Sequence, residues 1–195
     1  MDIMISNLNK SFGERHVLRD FSAVFPAGEL SCVMGRSGCG KTTLLNILLG
    51  VMPYDGGDVE GIPERVSCIF QEERLCEDFS AVTNVRIVCA RNVTKAEIER
   101  QLTAVGLGDS LYRPVKELSG GMKRRVAIVR ALMAEGGLII MDEPFKGLDE
   151  TTRSLVAEHV KEQISGRTVI MVTHDEAEVA LMGGRLIRMP LPDAE

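Results

Sequence analysis

Apolar positions in the first thirty residues follow the short spacing of β-strands. Ile3, Ile5 and Leu8 are apolar, and Phe12-Gly13-Glu14-Arg15 reads as a turn. Val17-Leu18 and the partly alternating run Phe21 to Phe25 come next, closed by Pro26-Ala27-Gly28. Glu29 to Met34 is a further apolar strand, and Thr43 to Leu49 a helix ending at Gly50. Met52 to Gly57 is a turn cluster, and Arg65 to Phe70 another strand.

From Glu72 to about Ala134 the chain is charged and helical in rhythm. Thr94 reads as an N-cap with Glu97 as its capping-box partner. Ile98, Leu102 and Val105 recur at helical spacing up to the stop at Gly106. A second helix runs from about Ser119 to Met133, with Val126, Ala127, Val129 and Ala131 on its apolar side. Its basic run, Lys123-Arg124-Arg125, reads as a solvated face. Strands return at Leu138–Met141, continuously apolar as in a buried parallel sheet, and at Thr168–Val172. A helix from about Glu150 to Ile164 lies between them; a short helix near Asp175–Leu181 and a strand at Leu186–Met189 close the chain. The pattern predicts one α/β domain, its core formed by residues 1–71 and 134–195. A helical subdomain, residues 72–133, is inserted.

Hydrophobic content of 45% places the chain among globular proteins. A net charge of −5 without a basic block argues against a nucleic-acid partner, and the absence of Trp argues against stacking platforms. No run is long enough to cross a bilayer, and the first residues lack the charged and apolar regions of a signal peptide. The five cysteines are odd in number and form no C-x-x-C pair. Cys32 and Cys68 read as small core residues, so a reducing cytoplasm is expected.

Candidate chemistry begins at Gly35-Arg36-Ser37-Gly38-Cys39-Gly40-Lys41-Thr42, which fits G-x-x-x-x-G-K-[ST] between a strand and a helix. Glycines let the backbone wrap a phosphate, and the helix start offers free N–H groups at a positive dipole end. Lys41 supplies a cation for β and γ phosphates, Thr42 a hydroxyl for Mg²⁺. Cys39, beside the helix start, is expected to be a reactive thiol that nucleotide protects. Asp142 and Glu143 end a buried strand, where open α/β sheets bind ligands. Asp142 can then join the Mg²⁺ shell and Glu143 activate water. Leu118-Ser119-Gly120-Gly121-Met122 heads a helix and offers a second anion site.

Together these motifs resemble the nucleotide-binding domain of ATP-binding cassette (ABC) transporters across nearly the whole chain. Gly35 to Thr42 corresponds to Walker A, Gln71 to the Q-loop glutamine, and Leu118 to Met122 to the LSGGQ signature, with Met122 in place of glutamine. Asp142 and Glu143 close Walker B, Gly147-Leu148-Asp149 is the D-loop, and His174 the switch histidine. Phe12 stands where the family has an aromatic that stacks on adenine.

The resemblance implies a P-loop NTPase core with an N-terminal antiparallel β region and an inserted helical subdomain. It implies hydrolysis of ATP with Mg²⁺. Gly35 to Thr43, Phe12 and, from a second copy, Ser119, Gly120 and Gly121 would bind the nucleotide. Thr42, Gln71 and Asp142 would build the metal shell; Glu143 would act as base, aided by His174 and Gln71. The implied partners are a second copy in the ATP-bound state, separate transmembrane permease subunits and a solute-binding protein. The implied place is the inner face of the cell membrane. Phe70-Gln71-Glu72-Glu73-Arg74-Leu75 and Asp142-Glu143-Pro144-Phe145 resemble importers for nitrate, sulfonate and taurine. The alternative is an ABC-type ATPase not coupled to transport, which would usually carry twin cassettes or a long coiled-coil insertion; neither is visible.

Overall fold

The structure, a computed structural model, describes residues 1–190. In chain order its first half forms β1 (Ile3–Phe12), β2 (Arg15–Phe25), β3 (Leu30–Met34), α1 (Lys41–Leu48), β4 (Gly56–Glu60) and β5 (Val66–Ile69). The helical stretch holds α2 (Ala81–Arg86), α3 (Lys95–Ala104), two short 3-10 turns and α4 (Gly120–Met133). The last part forms β6 (Leu138–Asp142), α5 (Glu150–Ile164), β7 (Thr168–Thr173), α6 (Glu176–Met182) and β8 (Arg185–Arg188).

Two sheets result. An antiparallel sheet has the order β2-β1-β4, and a parallel sheet the order β5-β6-β7-β3-β8. Sequence pattern divides β2 at Arg19-Asp20, but the strand is continuous. Leu8 faces Phe21 and Lys10 faces Leu18, so β2 carries one extra residue there. Asp20 takes a φ of 47° at this bulge, and its N–H donates to Asn9 Oδ1 at 3.1 Å. β4 was hidden in the sequence because Gly-Gly-Asp-Val-Glu carries a single apolar residue. It is an edge strand, held by main-chain pairing of Ile5 with Val59 and Met4 with Glu60 rather than by a buried face.

β6 and β7, inside the parallel sheet, are apolar on both faces because both faces are covered. Ile139, Met141, Val169 and Met171 point toward the helical stretch and α5, packing with Val126, Val129, Val156 and Val160. Leu138, Ile140, Ile170 and Val172 point the other way, onto Leu44 and Leu48 of α1 and onto Ile3, Ile5 and Phe25 of the antiparallel sheet. Ser80, Thr94 and Ser119 each accept a main-chain N–H at the start of α2, α3 and α4. At α3 only half of the capping box forms: Glu97 N–H donates to Thr94, while the Glu97 carboxylate pairs with Arg100 at 3.7 Å. No helix among the described residues is long and apolar enough to cross a membrane.

Candidate functional site

All five parallel strands point the same way, so the segments leaving β3, β5, β6 and β7 emerge at one sheet edge. A cleft of about 800 Å³ opens there, lined by Ser37, Gly38, Gly40, Lys41, Thr42 and Thr43 from the loop and first turn after β3. Gln71 enters it from beyond β5, Asp142 and Glu143 from the end of β6, and His174 from the end of β7. Phe12, 49% exposed, forms one wall at the end of β1, with the Lys10 ammonium 5.5 Å from its ring centre.

The loop's shape depends on its glycines. Gly40, the N-cap of α1, has a φ of 98°, and a Cβ there would lie 3.0 Å from Val17 and Leu18. A Cβ on Gly35 would meet Cys39 Sγ at 2.5 Å. Lys41 is 9% exposed, and its ammonium donates to the Gly35 carbonyl at 2.6 Å and the Arg36 carbonyl at 3.0 Å. Gly35, Arg36 and Cys39 do not line the cleft; they shape the loop from beneath and beside it. The expectation of a reactive Cys39 is overturned. Its side chain is 1% exposed and packs in the core with Val33 and Leu44, because the loop turns its thiol inward.

Burial, with Glu143 beside it, pushes the Asp142 carboxyl above the usual carboxylate range, against the pull of Arg124 and Lys41. A dication would reverse that penalty. The oxygen donors at hand are the Thr42 hydroxyl, the Gln71 amide and the Asp142 carboxylate, hard ligands few enough to leave room for phosphate oxygens and water. Residues and group therefore fit. Glu143 sits in the left-handed region at φ 46°, a strained place for a non-glycine residue. Its N–H donates to the Val172 carbonyl at 2.9 Å. Its carboxylate faces His174 Nδ1 at 3.0 Å and Lys146 Nζ at 3.4 Å.

Ser119 and Gly120 lie apart from this cleft, exposed at the start of α4, and Gly121 is half-buried beside them. Ser119 Oγ accepts from Met122 N–H at 3.3 Å. Asp149 caps α5 by accepting from Thr152 N–H at 2.9 Å. Of the other histidines, His159 is buried in α5 and His16 bonds Ser11 at 2.9 Å.

Sequence pattern missed Arg15 and Lys146, which also line the cleft. Lys146 had one signal, a cation three residues after Glu143. The reading of Lys123-Arg124-Arg125 as a solvated face needs correction at Arg124, which is 1% exposed. Its guanidinium donates to main-chain carbonyls at both Gln71 and Glu143. A helix of this length, packed on the sheet, buries part of the face that charge alone assigns to water.

Residues 18–146 match the ABC transporter family. The aliphatic sulfonates import ATP-binding protein SsuB of Pseudomonas fluorescens (strain Pf0-1) is 38% identical over 194 residues, which cover 95% of this chain and 72% of that protein. The taurine import ATP-binding protein TauB of Escherichia coli O157:H7 is 35% identical, covering 95% of this chain and 78% of that protein. Among solved structures, a dimeric bacterial ABC transporter cassette superposes with a TM-score of 0.81 at 26% identity, covering 96% of this chain and 94% of the other. A bacterial Atm1-family ABC exporter with ATP bound shares the fold, with a TM-score of 0.83 at 20% identity; this chain spans 37% of that longer one. With the phosphate loop and the paired acids on one sheet edge, these likenesses show that the chain belongs to the ABC transporter family, as an ATP-hydrolysing subunit.

Proposed function

We propose that this chain binds and hydrolyses ATP to drive uptake of a small solute, of the sulfonate or taurine kind, through a separate permease at the inner face of the cell membrane. The observation that supports the reading best is the cleft at the sheet edge, where Lys41, Gln71, Asp142, Glu143 and His174 meet from four different strands. The relatives named for sulfonate and taurine import supply the solute class.

In this reading the loop N–H groups and Lys41 take the phosphates. Lys41 exchanges the Gly35 and Arg36 carbonyls for phosphate oxygens. Phe12, half exposed beside the cleft, offers a face to the base. Thr42, Gln71 and Asp142 would hold Mg²⁺, which when bound neutralises phosphate charge. Glu143 accepts a proton from the attacking water, and His174, 3.0 Å from its carboxylate, holds that group in place. Ser119 and Gly120, exposed, with half-buried Gly121 beside them, suit the nucleotide of a second copy. Residues 72–133 form a subdomain that carries this surface and meets the permease.

The test is phosphate release from ATP by the purified chain, followed by co-purification with membranes holding a neighbouring permease. Mg²⁺-dependent turnover and membrane recovery are expected. Turnover without any permease partner would leave the alternative of an ATPase outside transport, and no turnover at all would end the catalytic reading.

A further inference from the structure

Arg124 lies on α4, five residues past Ser119, and is 1% exposed. Buried guanidinium groups usually face a carboxylate. This one directs its donors at main-chain carbonyls that border the ATP cleft. Nε donates to Pro144 at 2.9 Å; Nη1 donates to Phe70 at 2.6 Å and Gln71 at 3.3 Å. Nη2 donates to Asp142 at 2.8 Å and to Glu143 at 2.5 Å. One planar fork thus ties three segments together: the exit of β5, the end of β6 and the helix that starts at Ser119.

The Glu143 peptide needs such a tie. A non-glycine residue at φ 46° persists only where its surroundings over-determine it. Val172 holds its N–H, and Arg124 holds its carbonyl. The same guanidinium holds the carbonyl of Gln71, a cleft residue just beyond the end of β5.

We propose that Arg124 is a positioning residue for hydrolysis, through which the placement of α4 sets where Glu143 and Gln71 stand. The inference rests on the ATPase reading above. It adds a direct link between the two ends of the molecule's chemistry. A shift of α4, whose first residues lie apart from the chain's own cleft, moves the carbonyls of Glu143 and Gln71 with it.

Planar geometry, not charge alone, makes the link, since an ammonium is a point donor that cannot span five carbonyls. Arg124→Lys and Arg124→Gln in the full chain should lower kcat by about tenfold to a hundredfold, the effect of a misplaced base. ATP affinity, read with a fluorescent analogue, and KM should stay within about threefold of wild type, because no nucleotide contact is lost. The decisive arm is a double variant. If Arg124 acts through Glu143, adding Arg124→Lys to Glu143→Gln should leave the residual turnover unchanged. A further drop by the single-variant factor overturns the proposal. So does a loss of kcat that tracks lost ATP affinity and a lowered melting temperature in both single variants, which would make Arg124 a packing residue only. An inactive wild type would refute the ATPase reading itself and the proposal with it, whereas an active wild type with fully active variants refutes the proposal alone.

Discussion

Replacing Glu143 by Gln separates catalysis from folding, and the structure supplies both magnitudes. The carboxylate pairs with Lys146 at 3.4 Å, but the Lys146 side chain is 54% exposed, so that pair is worth at most about 1 kcal/mol. Gln keeps the size of the side chain and an oxygen for His174. For a chain of this length about 1 kcal/mol shifts the melting temperature by roughly 2–4 °C. Removing a general base costs about 10²–10⁴ in rate, or roughly 3–5 kcal/mol at the barrier. The loss in turnover should therefore far exceed any loss in stability. ATP should still bind, since Lys41 and the loop are untouched and one negative charge near the phosphates is gone. With hydrolysis stopped, two copies should remain closed on ATP. Phosphate release, thermal melting and size exclusion with light scattering read the three effects. Expected are wild-type melting, at least about a hundredfold slower release, and a dimer with ATP that disappears when Ser119→Arg is added. Turnover above about a tenth of wild type would refute Glu143 as the base. A monomer at saturating ATP would mean that Ser119 does not complete a second copy's site or that pairing needs the permease; repeating the measurement in permease-containing membranes separates the two.

Lys41→Met should weaken ATP binding by about a hundredfold or more, since a cation near a phosphate at the surface is worth several kcal/mol. Wild-type affinity by titration calorimetry would remove Lys41 from the phosphate site. Alkylation under native conditions should modify exposed Cys76 first and buried Cys39 only on unfolding; mass spectrometry showing equal rates would contradict the inward thiol. Glu178 is buried on α6 and accepts from the Thr173 hydroxyl at 2.5 Å. Burial raises its carboxyl above the usual range, with the Thr173 bond opposing. A raised folded pKa means that its contribution to stability is full below the unfolded value, about 4.3, and is lost as pH rises through the folded one. Glu178→Gln should thus melt higher than wild type at neutral pH, the advantage fading toward pH about 4; a constant difference across that window would show that ionisation is not the cause.

Periodicity and motif spacing alone determined a good deal. The continuously apolar runs at Leu138 and Thr168 announced a sheet buried on both faces, since only such strands carry no polar side. Gly35 to Thr42 announced the loop, because few other residue types permit its backbone. Edge pairing was invisible: β4 is held through main-chain hydrogen bonds, to which side-chain pattern gives no clue. Side-chain direction inside a loop or on a crowded helix was equally hidden. Cys39 sits among exposed loop residues yet points inward, because Gly35 leaves the space beneath it and the core takes the thiol. Arg124 sits in a basic run yet is buried. Its burial was decided only when α4 docked against the ends of β5 and β6, where one guanidinium satisfies several main-chain carbonyls at once. Local sequence named most of the polar groups that line the cleft; contacts distant in sequence decided which of them are held in place, and by what.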